Sequence, residues 1–369
     1  MRDFSGIERI VVKVGTNVLA PGGVPDDERI ARLASDLVGL RDRGYSPIVV
    51  TSGAIGFGAG ALGLERRPKK VEMRQACAAV GQPILMNRWQ SALGEKGVIA
   101  AQILLSREIF DDRHSFLNLK NSVESLLALG AVPVLNENDS VSTEEIGDVF
   151  GDNDSLSAHV ASKLDAGLLV LLTDIDALYD RDPRTHGDAS PLRMVEKITE
   201  RIRSAAGSAG SEHSTGGMIT KLNAVEVASR AGCVTVLADG RLEGVLNRIL
   251  DGEEIGTLFL AGKRMGARAR WILGARPKGS IIADEGAMTA LGRRKSLLPK
   301  GVIAVEGDFS VGDIVTIGSA YQAVTSMGSE EIRRVMGRHS REVEEILGPG
   351  RKEEVARVED IVQIPKANE

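Results

Sequence analysis

The sequence predicts an α/β protein: a mostly parallel central sheet with helices on both faces, followed by a small β-rich domain. Three observations carry that expectation. Over the first two-thirds of the chain, short continuous apolar runs alternate with helical stripes, the pattern of strands buried on both faces and linked by helices. Beyond residue 278 the texture changes to short apolar runs separated by Gly-Asp or Gly-Ser turns, which suggests a small barrel. Between the two lies the stretch 263–278, with six basic residues and no acidic ones. At 369 residues, 43% of them hydrophobic, the chain is long enough for two domains with sizeable cores. The expected division is a main domain over 1–262, a basic linker over 263–278, a second domain over 279–357 and a charged tail over 358–369.

The first strand is read over 10–14 and ends in Gly15-Thr16. A helix follows over 26–44, with Ile30, Leu33, Ala34, Leu37, Val38 and Leu40 on one stripe and Gly44 closing it. The strand 47–51 leads through Ser52-Gly53 into another helix. Further strands are expected over 98–105, 132–136, 168–173 and 234–238, and helices over 113–129, 155–164 and 218–231. In the second domain the strands are 280–283, 302–305, 314–317 and 323–324, with one helix over 284–291. In parallel sheets of this kind ligands collect at the carboxyl ends of the strands. Lys13-Val14-Gly15, Thr51-Ser52-Gly53, Asn136-Glu137-Asn138-Asp139 and Thr173-Asp174 all fall there.

Composition narrows the classes. The net charge is −5 and only 3% of residues are aromatic, unlike a protein that neutralises nucleic-acid phosphates and stacks on bases. The basic stretch reads as a solvated linker rather than a phosphate-tracking arm. No apolar run approaches the ~18 residues of a membrane span. Met1-Arg2-Asp3-Phe4-Ser5 does not read as a signal peptide. Cys77 and Cys233 cannot build a zinc site alone and suit a reducing compartment. The expectation is a cytoplasmic protein. The five histidines, at 114, 159, 186, 213 and 339, have no metal-ligand spacing, so no metal ligand is assigned.

Four motifs bear on chemistry. Gly58-Ala59-Gly60-Ala61-Leu62-Gly63 matches GxGxxG, but a dinucleotide site needs a second strand ending in an acid about 20 residues on. Residues 80–83 supply neither, so small-residue helix packing is the reading. No P-loop motif occurs. Thr215-Gly216-Gly217-Met218-Ile219-Thr220-Lys221 opens a helix, where backbone N–H groups and the helix dipole attract anions; a flexible loop with a solvated lysine fits these residues equally. Lys13 lies inside an apolar strand, a costly place unless it faces an anion, and Gly15 beside it permits close approach of a ligand. The runs Asn136–Asp139 and Gly151-Asp152-Asn153-Asp154 hold more carboxylates and carboxamides than helix capping by Asp154 requires. They suit a ligand ammonium group or the ordering of nearby lysines. Mg²⁺ commonly binds through substrate phosphates and water rather than a dedicated cage.

Together Val11-Val12-Lys13-Val14-Gly15-Thr16, Val50-Thr51-Ser52-Gly53-Ala54-Ile55, Asn136–Asp139, Gly151–Asp154, Leu172-Thr173-Asp174 and the Gly216–Lys221 run resemble the glutamate 5-kinases of the amino-acid kinase superfamily. Asp284-Glu285-Gly286-Ala287, Leu297-Leu298-Pro299-Lys300-Gly301 and Gly337-Arg338-His339-Ser340 resemble the PUA domain that bacterial members often append. The resemblance spans nearly the whole chain. It implies an amino-acid kinase catalytic domain over 1–262 and a PUA domain over 279–357. The implied reaction is ATP + L-glutamate → ADP + L-glutamyl 5-phosphate, the first step of proline biosynthesis. Lys13, Lys221 and Asp154 become catalytic, with Asp154 holding both lysines. Ser52, Gly53, Asn136, Asp139, Asp152 and Asn153 become glutamate-binding. Lys13, Thr173, Asp174, Thr215, Gly216, Gly217, Met218, Ile219, Thr220 and Lys221 become ATP-binding, with Mg²⁺ carried on the ATP phosphates. The resemblance also implies a homo-oligomer and feedback inhibition by L-proline. One departure weakens the last point: Glu144-Glu145-Ile146-Gly147-Asp148-Val149-Phe150 is longer and more acidic than the family pattern, in a loop that shapes inhibition. Two rival readings stand beside this one. A different amino-acid kinase would act on N-acetylglutamate, aspartate, carbamate or UMP. A PUA-containing RNA-binding factor is disfavoured by the net-acidic tail and the few aromatics.

Overall fold

Runs of Val, Ile and Leu make the centre of the sheet, as expected for parallel strands covered on both faces. In this computed structural model residues 1–64, 68–106, 108–141, 153–207 and 217–365 are described. The chain divides into two compact units, Met1–Arg264 and Met265–Glu369. The first begins with β1 (Arg9–Val14), α1 (Thr16–Leu19), α2 (Asp27–Asp42), β2 (Ser46–Thr51), α3 (Ala54–Ala61) and α4 (Val71–Gly94). It continues with β3 (Ala100–Leu105), α5 (Glu108–Asp111), α6 (Arg113–Ala128), β4 (Val132–Glu137), α7 (Asn153–Lys163) and β5 (Leu168–Thr173). Then come β6 (Leu178–Tyr179), β7 (Pro191–Leu192), β8 (Met194–Val195), α8 (Glu200–Gly207), α9 (Met218–Arg230), β9 (Val234–Asp239), α10 (Val245–Leu250) and β10 (Thr257–Phe259).

Eight strands form one sheet in the order β3-β4-β2-β1-β5-β9-β10-β8. All its pairings are parallel except that of β9 with β10. The alternation of side chains along each strand sorts the core into two layers. Ile10, Val12, Val14, Leu168, Val170 and Leu172 pack with α2, α4 and α10. Val11, Leu169 and Leu171 face the other way, toward α6, α7 and α9. Lys13 has the parity of Val11, so its side chain leaves β1 on the α7 and α9 face.

Local signals set several boundaries. The Asp26 side chain accepts a hydrogen bond from the Arg29 N–H to start α2, and Asp112 does the same for α6 through Ser115. Gly44, at φ +87°, ends the α2 turn in the left-handed region. Gly58 and Gly81 let α3 and α4 cross in contact: a Cβ on Gly58 would fall 1.8 Å from the Cys77 carbonyl oxygen, and one on Gly81 1.8 Å from that of Ala54. The GxGxxG match therefore packs a helix, although through Gly58 alone, since Gly60 and Gly63 meet nothing.

The second unit holds α11 (Ala267–Gly274), β11 (Gly279–Ala283), α12 (Glu285–Gly292), β12 (Val302–Glu306), β13 (Ile314–Ile317), β14 (Tyr321–Val324), α13 (Ser329–Val335), α14 (Val343–Leu347) and β15 (Ile361–Gln363). Where the sequence pattern suggests a barrel, five strands pair in the order β12-β11-β13-β14-β15. Two stretches differ from the sequence expectation. The basic stretch read as a linker contains α11, whose Ile272 is buried with Ala275 and Ile314. The stretch read as a charged tail contains β15, which pairs antiparallel with β14. In both, a few apolar residues inside a charged run find a sheet to bury against.

Candidate active site

The site lies at the carboxyl ends of β1, β2, β4 and β5. β1 delivers Lys13, the first turn of α7 delivers Asp154 and the first turn of α9 delivers Lys221. Lys13 Nζ is 2.6 Å from Asp154 Oδ1, and Lys221 Nζ is 3.0 Å from Asp154 Oδ2. The carboxylate is fully buried, and the two lysines are 5% and 7% exposed. Because α7 starts at Asn153, Asp154 sits inside its first turn rather than at the cap before Ser155. The Thr220 hydroxyl is 2.7 Å from the Gly217 carbonyl and 3.4 Å from Asp154 Oδ2. Two ammonium groups on one carboxylate leave this trio net positive. Beside it, Gly217 caps α9 without a side-chain acceptor, which leaves first-turn N–H groups for an anion.

The neighbouring strand end carries Asp174. Burial opposes its charge, but the Asn17 amide, its own backbone N–H, the Thr173 hydroxyl and the Lys221 ammonium together hold its carboxyl below the usual range. The Asn17 Nδ2 to Asp174 Oδ2 bond is 2.9 Å. Gly15 lies between these groups: a Cβ there would come within 3.2 Å of the Leu172 carbonyl oxygen and 3.8 Å of Lys13 Nζ.

A neutral network forms the opposite side. Gly53, at φ +108°, turns β2 into α3, a backbone conformation that favours glycine. Asn153 Nδ2 donates to Ser52 Oγ at 3.0 Å and to Asn136 Oδ1 at 3.2 Å. Asn136 donates in turn to Gln82 Oε1 on α4 at 2.7 Å. Trp89, also on α4, donates its indole N–H to Thr51 Oγ1 at 3.1 Å.

Comparison with known proteins shows the family of the chain. The amino acid kinase family profile matches residues 8–239, and the PUA domain profile matches residues 279–347. Glutamate 5-kinase of Methanosarcina barkeri is 44% identical over 97% of this chain and 97% of its own. The chain belongs to the glutamate 5-kinases of the amino acid kinase family. The glutamate 5-kinase of Methanococcoides burtonii is 45% identical over 92% of each chain. Among solved structures, an isopentenyl phosphate kinase is similar at 21% identity and a TM-score of 0.49, over 68% of this chain and all of its own.

A cleft of about 340 Å³ brings together Lys13, Ser52, Gly53, Asp139, Asn153, Thr173, Asp174, Gly217, Met218 and Lys221. Asn136 does not line it: it is 1% exposed and lies behind Asn153. Ile219 packs against the core under α9. Asp152, Thr215, Gly216 and the acidic run 144–150 lie outside the described residues.

Sequence reasoning missed several lining residues. Asn17 was signalled only by its place two residues past Gly15. Tyr179 ends β6, and Asp182 and Arg184 come from the loop joining β6 and β7, where Pro183 and Gly187 signal only a turn. The Arg184 side chain and backbone N–H hold the Asp182 carboxyl below the usual carboxylate range. Arg74, from the first turn of α4, also lines the cleft. No helix was read over α4 in the sequence, so neither Arg74 nor Gln82 had a predicted place.

Proposed function

We propose that this chain transfers the γ-phosphoryl group of ATP to the γ-carboxylate of L-glutamate. The product would be L-glutamyl 5-phosphate, the first intermediate of proline biosynthesis. The observation that carries this reading is the buried Lys13–Asp154–Lys221 trio at the base of the cleft, in a chain 44% identical to a glutamate 5-kinase over nearly its full length. A carboxylate acceptor is already ionised at neutral pH, so no base has to remove a proton from it. Catalysis then reduces to positioning and charge stabilisation. Lys13 and Lys221 balance charge on the transferring oxygens, approaching from β1 and α9. Asp154 anchors both, which matters because a lysine stem is flexible. Thr173, Asp174 and the start of α9 take the nucleotide. Ser52, Asp139 and Asn153 take the acceptor, with Asp139 and the Asn153 carbonyl suited to its ammonium group.

Among the described residues no three His, Cys, Asp or Glu side chains gather into a metal-binding group. The two ammonium groups have no lone pair to offer a metal but attract phosphates, so Mg²⁺ would arrive on the ATP phosphates and complete its shell with water. Bound there, it would neutralise charge on the phosphate oxygens. Lys13 and Lys221 would hold the phosphates that carry it.

ADP release measured with glutamate, N-acetylglutamate, aspartate and UMP tests the acceptor. Turnover with glutamate and none with N-acetylglutamate is expected, because acetylation removes the ammonium group. Equal turnover of the two would overturn the assignment. Asp139→Ala should raise the KM for glutamate far more than that for ATP, the pattern of lost acceptor binding. We assign catalysis to the first unit and an accessory role to the second. A chain ending at Arg264 should therefore keep kinase activity. A folded truncate without turnover would refute that division.

A further inference from the structure

Asn153 spends both amide protons on its neighbours, Ser52 Oγ and Asn136 Oδ1. Its own Oδ1 is buried and accepts no hydrogen bond, while the side chain lines the cleft. An amide can be turned over at little cost in shape, so something must decide which end faces the substrate. We propose that Gln82 is a positioning residue for the acceptor: by holding Asn136, it makes Asn153 present its carbonyl rather than its NH₂ group. This rests on the glutamate reading above, in which the waiting oxygen receives the substrate ammonium.

The direction of every bond in the chain follows from one fixed donor. The Glu137 backbone N–H lies 2.9 Å from Asn136 Oδ1 and can only donate. That oxygen must therefore accept, and the Asn136 NH₂ group must point the other way, where Gln82 Oε1 takes it at 2.7 Å. With Asn136 Oδ1 facing Asn153, only the NH₂ end of Asn153 can meet it, and Asn153 Oδ1 is left as the end of this cleft-lining side chain that has no protein partner. Ser52 Oγ, already accepting from Asn153, keeps its own proton to donate to a substrate oxygen. Without the Gln82 acceptor, the Asn136 NH₂ group is left unpaired at a site 1% exposed. Inverting Asn136 would set its NH₂ group against both the Glu137 N–H and the Asn153 NH₂. Either way Asn153 loses its anchor, and an amide turned the wrong way opposes an ammonium ligand. Gln82 itself touches none of the reacting atoms.

The test is steady-state kinetics of Gln82→Met, Gln82→Lys and Gln82→Glu in the full chain, alongside the wild type. Gln82→Met removes the acceptor at similar volume and should raise the glutamate KM roughly tenfold, the scale of one hydrogen bond lost with its partner left buried. The ATP KM and kcat should stay nearly unchanged. Gln82→Lys offers only donors and should raise the glutamate KM at least as far. Gln82→Glu keeps an acceptor and should restore most of the loss. In an Asn136→Asp background the side chain has two equivalent oxygens and no orientation to choose, so adding Gln82→Met should cost little more. An unchanged glutamate KM in Gln82→Met and Gln82→Lys would overturn the proposal, as would an equal rise in the ATP KM, no rescue by Gln82→Glu, or a full additive penalty in the Asn136→Asp background. A wild-type enzyme that turns over another acceptor instead would overturn the glutamate reading, a separate result read before any variant.

Discussion

The side of the cleft proposed to hold the phosphates rests on three buried charges, whereas the side proposed for the acceptor rests on a chain of neutral amides and a hydroxyl. Lys13, Asp154 and Lys221 meet at 2.6 and 3.0 Å with almost no solvent contact. Ser52, Asn153, Asn136 and Gln82 are linked at 2.7 to 3.2 Å. Each construction suits the ligand proposed for it. A transferring phosphoryl group brings several negative charges and needs cations that are already in place, since preorganised charge acts most strongly where water is excluded. An amino acid must be told apart from close analogues, and hydrogen-bond direction does that well. Removing one member of the charged trio strands the others; removing a member of the amide chain lets it turn. Changes on the first side should fall on kcat, and changes on the second on KM.

The largest effect should come from the charged side. Lys13→Ala and Lys221→Ala should each lower kcat by about 10²–10³, the range for one lost transition-state donor. Asp154→Ala should match them with the fold retained by circular dichroism. Combined with either lysine change it should cost much less than the sum, as for groups acting as a unit. Full additivity would reduce Asp154 to a buried structural acid and remove the contrast between the two sides.

A second experiment probes the backbone beneath the neutral side. Gly81→Ala places a methyl group 1.8 Å from the Ala54 carbonyl oxygen and forces α4 away from α3. It should lower stability by about 1–3 kcal/mol, the usual cost of overpacking, read as a urea midpoint, and raise the glutamate KM before the ATP KM. Gly60→Ala, on the same α3 but with nothing within 4 Å of its Cβ, should gain roughly 0.5–1 kcal/mol of helix propensity. Equal effects at the two positions would show that the crossing does not support the acceptor side.

The smallest effect comes from a buried carboxylate outside both groups. Asp36 on α2 accepts only neutral donors, the Leu246 N–H at 3.1 Å and the Asn247 amide at 3.3 Å. Burial pushes its carboxyl above the usual carboxylate range, outweighing the hydrogen bonds from Leu246 and Asn247. A raised carboxyl pKa contributes stability below the unfolded value, and that contribution is lost as pH rises through the folded one. Asp36→Asn has no such charge to bury. Its Tm relative to the wild type should therefore climb as pH rises from the unfolded carboxyl range toward neutrality. A difference independent of pH would show that neutral donors compensate this charge as fully as lysines compensate Asp154.

Much of the architecture could be read from residue order. The fully buried strand β5 runs over 168–173 as the apolar run predicts, and α9 differs from the helical stripe by one residue. Other parts carried no such signal. The buried positions of α4 include Cys77, Ala78 and Gly81, and Pro83 lies within it, so its stripe is blurred where it crosses α3. The apolar residues of α11 and β15 sit in charged surroundings and gain their meaning only from the sheet they cover.

By itself the sequence determined the chemical kinds present: a lysine inside an apolar strand, a glycine-led helix with a lysine one turn in, and polar runs at strand ends. Period-2 and period-3.6 patterns are local, and they are legible because each repeats within a dozen residues. Tertiary structure alone decided that Lys13 and Lys221 take opposite oxygens of one carboxylate, although Lys221 lies 67 residues from Asp154. It also decided that Asn136 stands behind Asn153, with Gln82 behind both. Those pairings depend on how β1, α4, α7 and α9 pack around one sheet, and hydrogen-bond direction exists only once donor and acceptor face each other.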